Sequence, residues 1–156
     1  MRIVFACDHA GFELKEYLRD FVASLGYEVE DLGAQEYNAG DDYPDYVSLA
    51  AQAVSQDPEN TKAILLGGSG QGEAIVANRY KNVRAVVFVG EPLQQKVPVQ
   101  DIITLSRKHN NSNALSLGAR FLTNTAAEKA VQKWLTTTFD GEDRHVRRNT
   151  KIDTLT

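Results

Sequence analysis

The chain has 156 residues and a formal net charge of -4, which fits one domain with a core large enough to fold without staples. That balance gives no support to nucleic-acid binding or to adsorption on an acidic membrane. The single cysteine, Cys7, excludes an internal disulfide framework and a cysteine metal cluster, and no apolar run approaches the roughly 18 residues of a membrane span. The opening MRIVFACD lacks the pattern of a signal peptide, so a soluble cytoplasmic protein is expected.

Residues 2–7 (RIVFAC) form a short apolar run suited to a buried strand. Over 11–25, Phe12, Leu14, Leu18, Phe21, Val22 and Leu25 recur mostly at three- and four-residue spacings, one apolar stripe of a helix that Gly26 stops. Residues 27–33 read as a second strand, 34–45 as a polar, turn-rich segment, and 46–56 as another helix before the turn DPEN. An apolar strand over 62–68 runs into a glycine loop, 73–80 continue as a helix, and 83–90 give a fourth strand. The segment 91–103 holds Pro92 and Pro98 and reads as a loop or a broken helix. Residues 105–111 close a helical segment, and 114–120 offer a short fifth strand and a turn. A helix over 125–139 carries Ala127, Ala130, Val131, Trp134 and Leu135 on one stripe. The tail 140–156 is basic through its middle. Alternating strands and helices predict a single-domain, open α/β sheet that is largely parallel.

In such a sheet, ligands gather beyond the carboxyl ends of the strands. Three polar features fall there: Asp8-His9-Ala10-Gly11, the loop GGSGQG (67–72), and the segment through Ala119-Arg120. The loop lacks the G-x-G-x-x-G spacing of a dinucleotide fingerprint and the Gly-Lys-[Ser/Thr] of a Walker A motif. Its glycines let backbone approach a ligand, and N–H groups there would hold a phosphate or an enediolate oxygen. The alternative is a tight strand-to-helix turn without a ligand. Ser69 either binds an oxygen or caps the helix. Glu73 is either a charge near the positive end of a helix dipole or a base that takes the proton alpha to a carbonyl; burial would raise its pKa and the dipole lower it. Asp8 and His9 either move a proton to and from a sugar ring oxygen or tie down loop backbone, and His109-Asn110 carries the same ambiguity. Arg144, Arg147 and Arg148 around His145 offer guanidiniums to a specific anion. No pair or trio has a recognisable metal-ligand spacing, Cys7 reads as core, and there is no G-x-S-x-G elbow.

The motifs DHAG (8–11), DDYP (41–44), GGSGQGE (67–73), RKHNN (107–111), GAR (118–120) and RHVRR (144–148) together resemble the ribose-5-phosphate isomerase B family, which includes galactose-6-phosphate isomerase subunits. The resemblance runs from residue 2 to about 155. It implies a Rossmann-like α/β fold with helices on both faces and a homodimer, or a dimer of dimers, whose active sites form between subunits. It also implies aldose–ketose isomerisation of a sugar phosphate through a cis-enediol(ate), with no metal or nucleotide cofactor. On this implication Glu73 is the base, Asp8 and His109 open the sugar ring, and His9 lies near the substrate. Tyr43 contacts substrate, while Gly68, Ser69, Gly70 and Gly72 cradle the reacting oxygens. Asn110 sits near the reacting end, and Arg120, Arg144 and Arg148 grip the phosphate with His145 beside them. Some members use a cysteine base in a CGTG-like loop. Gly67 stands at that position here, which places the chain in the glutamate branch. Ribose 5-phosphate is the first expectation; the link over 90–105 is longer than usual, which leaves a hexose 6-phosphate (allose or galactose 6-phosphate) or a non-catalytic sugar-phosphate-binding role as the alternatives.

Overall fold

The computed structural model describes residues 1–90 and 101–155. Within these residues five strands form one sheet in the order β2-β1-β3-β5-β4, and every neighbouring pair is parallel. The strands are β1 (Arg2–Cys7), β2 (Glu28–Asp31), β3 (Thr61–Gly67), β4 (Ala85–Phe88) and β5 (Ala114–Gly118). Among the described residues six helices accompany them: α1 (Phe12–Ser24), α2 (Tyr43–Gln56), α3 (Gln71–Ala77), α4 (Ile102–Asn110), α5 (Asn124–Thr136) and α6 (Asp143–Asp153). A turn of 3-10 helix at His9–Gly11 joins β1 to α1.

The period of two in a strand assigns its side chains to opposite helix layers. Ile3, Phe5 and Cys7 of β1 pack with Leu14, Leu18 and Val22 of α1 and with Trp134 and Val131 of α5. Val4 and Ala6 point the other way, toward Val47, Ala50, Ala51 and Val54 of α2 and Ala77 of α3. Each fully buried side chain such as Leu18 or Val22 contributes about 1.5–3 kcal/mol relative to exposure. Trp134 is also fully buried, and its indole N–H donates to Ser112 Oγ at 2.8 Å. Helices therefore cover both faces of a Rossmann-like α/β sheet, as expected.

Three expectations need adjustment. The second helix starts at Tyr43 rather than Tyr46, because Pro44 fits the first turn, where a missing N–H costs nothing. The tail contains a helix, α6, whose buried residues are the polar His145 and Asn149. The expected loop or broken helix over 91–103 falls mostly on residues 91–100, outside those described; Ile102 and Ile103 already belong to α4. Among the described residues, no helix is long and apolar enough to cross a membrane.

Candidate active site

From β1 the chain moves to β2 on one side, and β3 pairs with β1 on the other. This reversal opens a crevice at the carboxyl ends of the central strands. Asp8 follows β1, the glycine loop follows β3, and Arg120 follows β5, the other neighbour of β3. Tyr43 enters from the start of α2. A cavity of about 470 Å³ results, lined by Asp8, His9, Tyr43, Gly68, Ser69, Gly72, Glu73 and Arg120. Ala10 and the exposed ring of Phe121 complete it. Eight of the residues expected in a site from sequence thus meet in one place.

The glycine loop is held from below by β5. Ala119 N–H donates to Gly67 O at 2.8 Å and Arg120 N–H to Gly68 O at 3.2 Å. The buried Ser116 hydroxyl donates to Gly70 O at 2.7 Å. Gly70 takes φ +75°, a left-handed conformation that turns the chain into α3 and strains any side chain. It does not line the cavity; its part is the turn. Ser69 Oγ accepts from Gln71 N–H at the long distance of 3.4 Å, so capping is a weak use of an exposed hydroxyl that faces the cavity.

Glu73 lies in the first turn of α3 and is 4% exposed. Its carboxylate occupies the space beside Gly67 where another residue would carry a side chain: a Cβ there would lie 1.7 Å from Oε1. Burial pushes its carboxyl above the ordinary range; its own N–H opposes this, and the Asp8 charge adds to it. A buried carboxyl with a raised pKa, set in a wall of a cavity, is a candidate for proton transfer. The thiol of Cys7, by contrast, is fully buried, and desolvation pushes it up to about 12, which leaves it protonated.

Asp8 is 7% exposed and caps the 3-10 turn, accepting from Ala10 N–H at 2.9 Å. His9 has a partner that sequence reasoning missed. Asp41 Oδ1 accepts from the His9 backbone N–H at 3.0 Å and lies 2.7 Å from its ring Nδ1. Burial works against ionisation of Asp41, yet the His9 contacts outweigh it and hold the carboxyl below the usual range. With Nδ1 engaged, Nε2 is the ring nitrogen left for a ligand. Nothing in the polar run 34–45 singles out Asp41, beyond its place in the DDYP motif.

The remaining expected residues lie elsewhere on the chain. His109 and Asn110 end α4, while Arg144, His145 and Arg148 lie on α6, and none of the five lines the cavity. The rings of His109 and His145 are 4.1 Å apart between centroids. Arg144 pairs with Glu142 at 2.8 Å on an exposed face. The residues expected from sequence therefore fall into two groups within one chain. Among the described residues, two trios place potential ligand atoms within 4.8 Å of one another: Asp8, His9 and Asp41, and His109, Asp140 and His145. In each, a histidine Nδ1 already pairs with a carboxylate, at 2.7 Å for His9 and 2.9 Å for His145.

A family model described as Ribose/Galactose Isomerase matches residues 3–152. A probable ribose-5-phosphate isomerase B of Mycoplasma genitalium is 35% identical over 150 residues, covering 96% of this chain and 92% of the relative. The ribose-5-phosphate isomerase B of Escherichia coli is 37% identical over 147 residues, covering 94% and 91%. Among solved structures, the Mycoplasma genitalium ribose-5-phosphate isomerase B with bound ribulose-5-phosphate superposes with a TM-score of 0.89 at 34% identity, covering 99% of this chain and 95% of that one.

Proposed function

Because this chain belongs to the ribose/galactose isomerase family, a family of sugar-phosphate isomerases, we propose that it interconverts ribose 5-phosphate and ribulose 5-phosphate, with Glu73 as the base. The observation that carries this reading is the Glu73 carboxyl: buried, raised above its ordinary range, and set against Gly67 in the wall of the cavity.

The cyclic aldose must open first. Asp8 takes the proton of the anomeric hydroxyl, the C1–O4 bond breaks, and His109 delivers a proton to O4; the O1–H electron pair becomes the C1=O1 bond. Glu73 then removes the C2 proton, and loop N–H groups around Ser69–Gly72 stabilise negative charge on O1. The O2 proton passes to O1 and the O2 electron pair forms C2=O2 as the same carboxyl returns its proton to C1, because a cis-enediol presents both carbons on one face. Phosphate contacts hold the chain end in place and turn binding energy into alignment. Arg120 supplies one such contact from the cavity itself. His109, Asn110, Arg144, His145 and Arg148 lie outside the cavity of their own chain, which favours a homodimer in which a second copy brings them to it.

Proton NMR in D2O tests the reading, with ribose 5-phosphate, allose 6-phosphate and galactose 6-phosphate in separate tubes. Loss of the C2 proton and appearance of ketose from ribose 5-phosphate is the expected result. Conversion of a hexose phosphate alone would move the substrate, and no exchange with any of the three would overturn the isomerase reading for these sugars.

A further inference from the structure

Asp140 belongs to no motif singled out in the sequence, yet one contact ties it to the end of α4 and two tie it to His145 of α6. Its backbone N–H donates to Lys108 O at 3.3 Å, immediately before His109. Its two carboxylate oxygens lie 2.9 and 3.0 Å from Nδ1 of His145. The His145 ring, 2% exposed, packs against His109 with centroids 4.1 Å apart and planes tilted by 37°. From the next turn of α6, Asn149 donates its amide to His109 O at 3.2 Å. The loop before α6 and the helix itself therefore grip both the ring and the backbone of His109.

We propose that Asp140 is a positioning residue for ring opening: by accepting the Nδ1–H of His145 it fixes that imidazole's tautomer and orientation, and the fixed ring holds His109 where it delivers a proton to the sugar ring oxygen. The proposal rests on the isomerase reading above. Carboxylate–imidazole pairing is a general means of fixing which ring nitrogen carries the proton. Asp140 is suited to it as an anion: burial resists its ionisation, but the hydrogen bonds from His145 and from the Glu142 amide outweigh that and keep its carboxyl below the ordinary range. A second histidine has a steric role in this arrangement. His145 makes one wall of the space in which His109 can rotate, and the wall stands still only while Asp140 holds it.

Ribulose 5-phosphate separates this role from the proton-transfer chemistry. Its C5 oxygen carries the phosphate, so it cannot close a furanose and reaches the enzyme already open. Exchange of its C1 proton with D2O requires the base and the enediolate cradle but no ring opening. Ribose 5-phosphate requires all three. The experiment measures both rates for the wild type, Asp140→Ala and Asp140→Asn, with 15N NMR of the imidazole nitrogens of the same proteins. Asp140→Ala should lower turnover of ribose 5-phosphate about ten- to hundredfold, while C1 exchange of ribulose 5-phosphate changes less than about twofold. Its His145 spectrum should move from the Nδ1–H tautomer to a mixture. Asp140→Asn, which keeps an acceptor oxygen, should recover most of the turnover and of the Nδ1–H signal.

Equal losses in the two rates would reduce Asp140 to a general structural role and overturn the proposal, as would undiminished turnover or an unchanged His145 tautomer in Asp140→Ala. Wild-type protein inactive in both assays would overturn the isomerase reading itself and this role with it. That outcome is distinct from a wild type active in both and a variant impaired equally in both.

Discussion

Replacing Gly67 with alanine should separate the placement of the Glu73 carboxylate from the fold that carries it. The added Cβ would lie 1.7 Å from Oε1, 2.2 Å from Cδ and 2.8 Å from Oε2 of Glu73. Carbon and oxygen atoms rest at about 3.5 Å, so the carboxylate must retreat by roughly 1.5–2 Å. A misplacement of about 1 Å can cost about a hundredfold in rate. The kcat for aldose–ketose interconversion should therefore fall at least about a hundredfold, or about 2.7 kcal/mol of barrier. The fold should survive, because the overlap is with the end of one side chain and not with backbone. Overpacking of this kind costs about 1–3 kcal/mol, and each kcal/mol lowers Tm by about 2–4 °C in a chain of this size. Initial rates of ketose formation and a thermal melt on the same preparation give both numbers. A folded Gly67→Ala protein with wild-type kcat would refute the claim that the carboxylate's position against Gly67 matters to the chemistry.

Glu73 also sets a stability that depends on pH. Burial raises its folded-state pKa above the ordinary 4.5, so the unfolded chain releases this proton at lower pH than the folded one. Its ionisation thus costs stability as pH rises from 4.5 through the folded value, and costs nothing below 4.5. Glu73→Gln should melt higher than the wild type at pH 7 and together with it near pH 4; equal Tm values at pH 7 would contradict the burial argument. Asp41→Ala releases His9 from a charge-assisted pairing worth about 1.5–3 kcal/mol, so KM should rise about tenfold or more with kcat little changed, and an unchanged KM would remove Asp41 from the site. Two inactive variants, Glu73→Gln and His109→Gln, should complement each other when their subunits are exchanged. A heterodimer then holds one site with both changes and one with neither, and an equal mixture should regain about a quarter of wild-type activity. No recovery, with exchange verified by mass spectrometry, would place each site within a single chain.

Strands β1, β3 and β4 were legible from their apolar runs, and β1 matches its expected span residue for residue; β2, EVED, has no such run. Helices α1 and α5 were legible from their apolar stripes, which face one layer of the core. Helix α6 was not, for a definite reason. Its apolar residues, Val146 and Ile152, are 44% and 43% exposed, while the side chains it buries are His145 and Asn149, four residues apart. A helix docked by polar groups shows no hydrophobic period. At the site, the glycine loop and Glu73 stand out locally, since four glycines and an acid after an apolar strand are unusual neighbours. The pairings that orient the histidines do not stand out. Asp41 reaches back across 32 residues to His9, and His109 meets His145 across 36, so only the folded chain brings them together. Sequence likewise groups His109 and the α6 arginines with the cavity residues, whereas the single chain keeps them apart.

The central claim is that Glu73 moves the proton between C1 and C2. The measurement that meets it most directly is C1 proton exchange of ribulose 5-phosphate in D2O, followed by NMR for the wild type and Glu73→Gln, with ligand binding titrated on both. The account predicts exchange by the wild type and a loss of at least about a hundredfold in the variant, with sugar-phosphate affinity retained. Exchange by Glu73→Gln at the wild-type rate would show that another group is the base.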